Sequence, residues 1–179
     1  MLFRSHFVLR AAVTLISAAL LSGCSVTVGT DPDAYPFPSD EIANFAPGTS
    51  VSVSNSYTAP NRVEIGQRAY CDLAHFTDTS VKMVQRELSK KGLSVIQAGG
   101  RTMRLRMTYP TLVIGAWSMR ARVRLEAELG NGETIAVDGE SKTGGNAMRA
   151  FNGAILRAVT ALLQEPRIAA YLNGQSGAA

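Results

Sequence analysis

The sequence contains few of the side chains that catalytic and metal sites use. Its 179 residues include only two cysteines and two histidines. His6 lies in a short N-terminal segment with the features of an export signal, which leaves His75 as the one imidazole available as a general base or metal ligand. No cluster of Cys, His and carboxylate residues has metal-site spacing. A single histidine beside Phe76 is more typical of a packed or surface residue than of a catalyst.

Two common catalytic motifs are also missing from the chain. It has no GxSxG nucleophile elbow and no glycine-rich phosphate loop after a strand. The 14 acidic residues leave a catalytic carboxylate pair open as an alternative. We nevertheless expect a protein that is not an enzyme and that has neither a cofactor nor a metal ion.

The N-terminal residues have the pattern of a cleaved export signal. Arg4 and Arg10 precede an uncharged apolar run over residues 11–21, and Ser22 and Gly23 supply small residues that a signal peptidase accommodates. The run is too short for a transmembrane helix, which needs about 20 apolar residues. We therefore predict that this segment is removed on export.

Cys24 follows the signal directly. The stretch LSGC at residues 21–24 resembles the lipobox of bacterial lipoproteins. The resemblance implies a lipoprotein signal peptide over residues 1–23 and a diacylglycerol on the Cys24 sulfur, with acyl chains such as palmitate. More than one chain makes membrane attachment effectively permanent, since each buried methylene contributes about 0.8 kcal/mol. Ser25, in place of an aspartate, implies the periplasmic face of the outer membrane. An ordinary signal peptide or a buried thiol at Cys24 is the alternative.

Charge and cysteine content narrow the range of partners. Residues 1–23 carry two of the 18 basic residues and none of the 14 acidic ones, so the remaining chain has a net charge of about +2. This balance, together with export, argues against nucleic acid as a partner. Cys71 has no intrachain partner if Cys24 is lipidated. We expect Cys71 to be a small buried hydrophobic residue, and a reactive or intermolecular thiol is the alternative.

Composition divides the exported chain into three parts. Residues 24–48 hold several prolines and few large apolar side chains, which is typical of a flexible tether. Residues 49–173 form the expected periplasmic domain, and residues 174–179 are expected to be a disordered tail. The stretch TSVSVSNSY, which starts at Thr49, alternates valine with serine and predicts a first strand at a sheet edge. Residues 61–74 show no readable pattern.

Periodicity predicts two long helices and three further strands. Thr77 or Asp78 is the expected start of a helix that ends at Gly92. Alternating residues in TMRLRMTY, SMRARVRLEAEL and ETIAVDGES predict three strands. A second long helix follows Gly145, and Pro166 starts a short terminal helix. The predicted fold class is α+β, a two-layer sandwich: a mainly antiparallel sheet of about four strands with two helices on one face, in the order strand, helix, three strands, helix.

Arginines on the solvent face of the predicted sheet form the first candidate site. They are Arg104, Arg106, Arg120, Arg122 and Arg124. Three-residue turns at 115–117 and 130–132 would set four of them opposite acids, in the pairs Arg104–Glu128, Arg106–Glu126, Arg122–Glu140 and Arg124–Asp138. Only Arg120, beside Lys142, is left without an acid, so it is the candidate anion-binding residue. The same alternation buries Tyr109, although Pro110 introduces the possibility of a bulge. A solvated, charge-paired face is the favoured interpretation, and a phosphate site is the alternative.

The turn before the second of these strands is the other candidate site. The stretch TLVIGAWS places large apolar residues where a polar turn is expected. They are Leu112, Val113, Ile114 and Trp117, which is the only tryptophan. In one interpretation this turn folds onto residues 61–74 and belongs to the core. In the other, the four residues form an exposed patch that binds a protein partner or an acyl chain.

Four stretches between residues 76 and 172 carry a family resemblance. They are the helix end LSKKGLSV, the strand TMRLRMTY, the hairpin RLEAELGNGE and the segment EPRIAAYL after the closing helix. Together they look like the YajG-type bacterial outer-membrane lipoproteins. More distantly, the order of elements is similar to that of lipopolysaccharide-assembly lipoproteins and of auxiliary lipoproteins in lipid-transport systems. The resemblance implies no catalytic residue.

Three functions follow, in order of preference. The first is a non-enzymatic, periplasm-facing outer-membrane lipoprotein that acts as a binding or assembly factor for an envelope protein or lipid. The second is an accessory lipoprotein subunit of a lipopolysaccharide or phospholipid transport system. The third is a periplasmic hydrolase that uses a carboxylate pair. The sequence leaves the oligomeric state open.

Overall fold

The computed structural model describes residues 25–42, 44–46, 48–66, 68–98 and 100–175. Cys24 and the predicted signal peptide lie outside the described residues, as does most of the predicted tail. The strands are β1 (Val26–Val28), β2 (Ser50–Asn55), β3 (Arg62–Gly66), β4 (Ala69–Asp72), β5 (Ser94–Val95), β6 (Arg101–Ile114), β7 (Met119–Leu129) and β8 (Thr134–Thr143). The helices are α1 (Leu73–Lys90), α2 (Ala147–Gln164) and α3 (Pro166–Leu172), with a 3-10 turn at Ser39–Glu41.

The strands form two sheets. The larger has the order β5-β2-β6-β7-β8 and the smaller the order β1-β4-β3. β6, β7 and β8 are antiparallel neighbours, whereas β2 runs parallel to both β5 and β6. Helices α1 and α2 pack on the same apolar face of the larger sheet and against each other. This architecture confirms the predicted α+β sandwich, but the prediction of a single sheet of about four strands missed β5 and the smaller sheet. β2 is an interior strand and not the expected edge, because β5 pairs with its outer side.

The core lies between the larger sheet and the two long helices. Alternate residues of β6 and β7 point into it and are almost fully buried: Met103, Leu105, Met107, Ala121, Val123, Leu125 and Ala127. Helix α2 approaches β8 so closely that a Cβ built on Gly139 would lie 2.7 Å from the Ala158 nitrogen and closer still to the Ala154 carbonyl oxygen. Glycine is therefore required at this contact.

Helix α1 begins earlier than predicted. Asp72, the last residue of β4, is the N-cap, and its carboxylate accepts a hydrogen bond from the Ala74 nitrogen at 2.9 Å. Thr77 lies inside the helix, where its hydroxyl donates to the Leu73 carbonyl oxygen at 2.7 Å. The predicted start was wrong because residues 61–74, which form the β3–β4 hairpin and this cap, showed no pattern. The helix ends as predicted before Gly92, which has a φ of 87°.

Helix α3, in contrast to α1, begins where it was predicted. Pro166 is its first residue and Leu172 its last. Proline suits the first turn of a helix because the amide hydrogen that it lacks would have no partner there.

The predicted strand register is confirmed at all four arginine–acid pairs. Arg104 lies opposite Glu128 and Arg106 opposite Glu126, while Arg122 and Arg124 lie opposite Glu140 and Asp138. The turn between β6 and β7 has four residues, 115–118, not three. A bulge between Thr108 and Thr111 absorbs the extra residue, as the proline at position 110 suggested.

Tyr109 lies in that bulge and differs from its predicted position. Its φ is 49° and it is 72% exposed, so it does not continue the buried face of β6. The reason is that the extra residue of the bulge interrupts the alternation of inward and outward side chains.

The segment that we expected to be a flexible tether is folded onto the domain. After β1, residues 29–42 and 44–46, here called the strap, cross the outer side of the two long helices. The Asp31 nitrogen donates to Asn152 Oδ1 of α2 at 3.0 Å, and the Ala46 nitrogen donates to Asn173 Oδ1 at 2.7 Å. Ile42 and Phe45 are buried in the core. The prediction of a tether over residues 24–48 therefore fails for its described part, because separate apolar and polar contacts hold the strap, whose only described regular element is the short 3-10 turn.

Candidate functional site

The turn between β6 and β7 projects from the sheet with its apolar side chains in solvent. We call residues 112–118 the hairpin tip. Trp117 is 92% exposed, Val113 62% and Ile114 42%. Leu112 is half-buried against the core, and its carbonyl oxygen faces Gly66 of β3. The interpretation that the tip belongs to the core is therefore wrong for three of the four predicted residues.

The conformation of the hairpin tip is fixed by backbone pairing. Ile114 lies opposite Met119 at the end of the ladder, and the Gly115 nitrogen donates to the Ser118 carbonyl oxygen at 2.8 Å. The pairing of β6 with β7 therefore holds Val113, Ile114 and Trp117 on the solvent side of the core, and only Leu112 packs against it. An exposed apolar group of this kind is typical of a contact surface.

Arg120, the predicted anion-binding residue, has an acidic partner. It lies opposite Lys142, as expected, but its Nε is 3.2 Å from Glu140 Oε1. Glu140 also accepts a hydrogen bond from Arg122 Nε at 2.6 Å. One carboxylate therefore bridges two arginines, and Arg120 is not the unpaired cation that the register alone suggested.

The rest of the solvent face of the sheet is also paired. Arg124 donates two hydrogen bonds to Asp138, at 2.8 and 3.1 Å. The hydrogen bond from Arg124 holds the pKa of the Asp138 carboxyl below its usual range. Beside this pair lies an open groove of about 520 Å³ that Tyr109 and Thr111 border on one side. The charged groups of the groove neutralise each other, which favours a solvated face over a phosphate site.

Arg106 departs from the pairing that its register predicts. The guanidinium carbon of Arg106 lies 5.6 Å from the centre of the Tyr57 ring. Glu126, the acid expected to pair with Arg106, instead accepts a hydrogen bond from Thr108 at 3.2 Å. Such a cation–π contact contributes about 0.5–1 kcal/mol at an exposed site. Arg106 is thus satisfied by an aromatic ring in place of an acid.

The two side chains with the most catalytic potential are His75, which is exposed and hydrogen-bonds the strap, and Cys71, which is buried. His75 Nε2 lies 3.2 Å from the Thr30 nitrogen and so helps to hold the strap. Cys71 is fully buried, and burial together with the nearby Asp72 charge raises the pKa of its thiol to about 12. A thiol with this pKa is a poor nucleophile at neutral pH.

A buried acid that the sequence did not single out joins the strap to α1. Glu87 is fully buried and accepts hydrogen bonds from Ser39 at 2.6 Å, Lys90 at 2.9 Å and Arg86 at 3.0 Å. Burial opposes ionisation of Glu87, but these hydrogen bonds outweigh it and keep the pKa of the carboxyl below its usual range. Every partner is a fixed protein group, so Glu87 has a structural role.

The described ranges hold no other constellation with chemical potential. No group of three or more His, Cys, Asp and Glu residues in them is placed to hold a metal ion. In the same ranges every buried side-chain nitrogen and oxygen has a hydrogen-bond partner. No helix there combines the length and apolar character that a membrane span requires.

Comparison with known proteins gives similarity to several solved structures. A crystal structure of a DUF330-family protein from Xanthomonas campestris has a TM-score of 0.47 and 15% identity, covering 84% of this chain and 94% of that chain. A minor lipoprotein from Acinetobacter baumannii has a TM-score of 0.39 and 11% identity, covering 70% and 91%. No protein-family model matches the chain, and no curated protein does. These values assign no family, so the resemblance to YajG-type lipoproteins stays a prediction.

Proposed function

We propose that this protein is a lipid-anchored lipoprotein on the periplasmic face of the outer membrane, and that it acts by binding an envelope protein or lipid. The LSGC stretch that ends at Cys24 supports the anchor. The observation that carries the binding role is the hairpin tip, where Trp117 is 92% exposed on a closed turn. Val113 and Ile114 are exposed beside it, and neighbouring exposed apolar side chains mark an interaction site on a folded domain.

A non-enzymatic role is consistent with how the polar groups are used. His75 contacts the strap, the Cys71 thiol is buried, and the acids Asp138 and Glu140 are held by arginines. A general acid or base must exchange protons with a substrate. Groups already occupied by burial, by a hydrogen bond within the domain or by ion pairs serve that purpose poorly.

Crosslinking in intact cells tests the binding role. A photoreactive amino acid at position 114 should give a crosslink to one envelope protein or to lipid. The matched control position is Asn131, in the turn at the other end of β7, which is also exposed. Equal yields at both positions would show that the hairpin tip has no specific partner.

Mass spectrometry of the same protein tests the anchor. We expect a chain that begins at a diacylated Cys24. A free thiol at this position, or a chain that still begins at Met1, would contradict the proposal independently of the crosslinking result.

The same preparation separates the two less favoured functions. Recovery of a stable lipopolysaccharide or phospholipid transporter after mild detergent extraction would favour an accessory subunit. For a hydrolase, the paired acids of the sheet groove are the test, through Asp138→Asn and Glu140→Gln. Unchanged hydrolysis in envelope extracts would remove these two acids as a catalytic pair.

A further inference from the structure

The first residues of the described chain leave the fold at the same end as the hairpin tip. β1 runs parallel to β4, with Val26 opposite Ala69 and its nitrogen bonded to the Arg68 carbonyl oxygen at 3.3 Å. β4 leads from Ala69 into α1. The start of β1 therefore lies at the end of the small sheet that is distant from α1.

That end of the small sheet lies beside the hairpin tip. Helix α1 contacts β6 at Met107, whose nitrogen donates to Thr77 Oγ1 at 3.0 Å. Gly66, opposite Ala69, instead faces Leu112, because a Cβ built on it would lie 3.3 Å from the Leu112 oxygen. The β3–β4 hairpin thus follows β6 from Met107 toward the tip, and the start of β1 is at the level where the tip begins.

A lipidated Cys24 would sit very close to this point. Only Ser25 separates it from Val26, and two residues of extended chain span at most about 7 Å. A single α-helix with its side chains is about 10 Å across. A membrane anchored at Cys24 therefore leaves too little room for a protein to lie between the bilayer and this end of the domain.

The charges at this end suit an anionic surface. Residues 65–71, 109–125 and 141–149 contain arginine and lysine but no aspartate or glutamate. Of the acids that reach this end, Glu140 is paired with Arg120 and Arg122, and Asp31 borders a groove beside Arg149. Arg68, Lys142 and Arg149 are exposed, and Gly144, between the last two, lies against the Trp117 carbonyl oxygen. Tryptophan is enriched at membrane interfaces, and nearby basic residues are attracted to anionic headgroups.

We propose that the hairpin tip rests on the phospholipid surface that carries the anchor, with Val113, Ile114 and Trp117 in the interfacial region and Arg68 and Lys142 facing lipid phosphates. This inference rests on the proposed lipidation of Cys24. It assigns the tip a partner of defined chemistry, the bilayer itself, and fixes which end of the domain faces the membrane.

Trp117 is itself the probe, because the chain has one tryptophan. The lipidated protein is reconstituted into detergent-free vesicles of phosphatidylethanolamine and phosphatidylglycerol. Its tryptophan fluorescence is compared between vesicles without and with brominated phospholipid. We expect emission at shorter wavelength than for tryptophan in water, and a loss of intensity with the brominated lipid. Vesicles of phosphatidylcholine alone should weaken the contact, since the attraction of Arg68 and Lys142 to anionic lipid is absent.

A matched variant moves the probe to the far end of the sheet. In the double variant Trp117→Phe, Asn131→Trp, the tryptophan lies one full length of β7 away from the tip, about 35 Å at 3.3 Å per residue. Its emission should stay that of exposed tryptophan and should not respond to brominated lipid. Lys82→Trp, on the exposed side of α1, replaces Asn131→Trp if the double variant melts at a lower temperature.

Three other outcomes would each overturn the inference. Trp117 that stays in water while mass spectrometry shows a lipidated Cys24 would refute membrane contact and leave the anchor intact. Trp117 that is shielded from acrylamide but insensitive to brominated lipid would show that a second copy of the chain covers the tip. An unmodified Cys24 would remove the proposed function and, with it, the premise of the inference.

Discussion

Replacement of Glu87 by glutamine tests whether the strap is part of the folded domain. The variant keeps the size of the side chain but removes the negative charge to which Ser39, Arg86 and Lys90 all donate hydrogen bonds. It also replaces one acceptor oxygen by an amide NH2 group, a donor that must face another donor. If the strap were a loose tether, this change would affect α1 alone.

The expected loss follows from the burial of the two partners. Breaking a fully buried ion pair costs about 3–5 kcal/mol because one charge is stranded. Here the Arg86 and Lys90 side chains are 32% and 53% exposed, so water can solvate them after the change. We therefore expect Glu87→Gln to lower the free energy of unfolding at pH 7 by about 1–3 kcal/mol, the range for hydrogen bonds to a charged group.

The pH dependence has a defined sign. The pKa of Glu87 is lowered by folding, so its contribution is fully present above the unfolded value, about 4.3, and is lost as pH falls through the lower folded value. Urea unfolding should therefore show a difference between the native protein and Glu87→Gln that is constant from pH 7 to pH 5 and shrinks below pH 4. The exposed Asp40→Asn is the matched control and should leave stability unchanged.

Limited proteolysis adds a local measurement to the same experiment. Glu87→Gln should speed cleavage in the strap more than in the β6–β7 sheet, because Ser39 loses its acceptor. A variant as stable as the native protein at pH 7, or a stability difference that persists unchanged at pH 3, would refute the assignment of Glu87 as the charged centre of this contact.

Three further predictions concern the sheet and its buried thiol. Gly139→Val should destabilise the domain by about 1–3 kcal/mol through overpacking against α2, measured by urea unfolding, and native-like stability would contradict the close approach. Cys71 should resist iodoacetamide at pH 8 until the protein unfolds, since its thiol pKa is about 12, and rapid alkylation of the native protein would contradict this. Arg124→Ala should cost at most about 1 kcal/mol, because its partner Asp138 is exposed, and a larger loss would mean a stronger role for this pair.

The part of the fold that could be predicted is the part determined by residues close together in the sequence. β7 and β8 are joined by a tight turn, so the parity of the turn and the alternation of Leu125 and Ala127 determine the register. The same rules placed Arg124 opposite Asp138. These rules consider only residues directly opposite each other in the two strands. They therefore missed the contact between the second carboxylate oxygen of Glu140 and Arg120, which lies diagonally across the strands.

The strap could not be predicted because the residues that make its contacts show no regular spacing in the sequence. Ile42 and Phe45 are isolated apolar residues in a segment rich in proline, and their partners lie far along the chain. Asp31 and Ala46 bond to Asn152 and Asn173 through single amide side chains. Such contacts exist only after the helices have packed, and nothing local in the sequence indicates them.

The composition of the turn identified the hairpin tip as a candidate site, but only the folded structure shows whether its side chains are exposed. Four large apolar residues in a turn were visible in the sequence, but whether they pack or protrude depends on what lies above the turn. The β3–β4 hairpin that covers Leu112 belongs to the one stretch without a readable pattern. The exposure of Trp117 therefore became evident only with the tertiary structure.

The position of β2 has a consequence for the order in which the chain acquires its structure. Both neighbours of β2, the strands β5 and β6, come after it in the sequence. Residues 101–164, in contrast, contain three antiparallel strands and a helix that contact one another locally. Chains grow from the N-terminus, and pairings between distant segments form slowly. During synthesis the side of β2 that pairs with β6 must therefore stay without a partner until residues 101–105 have been made.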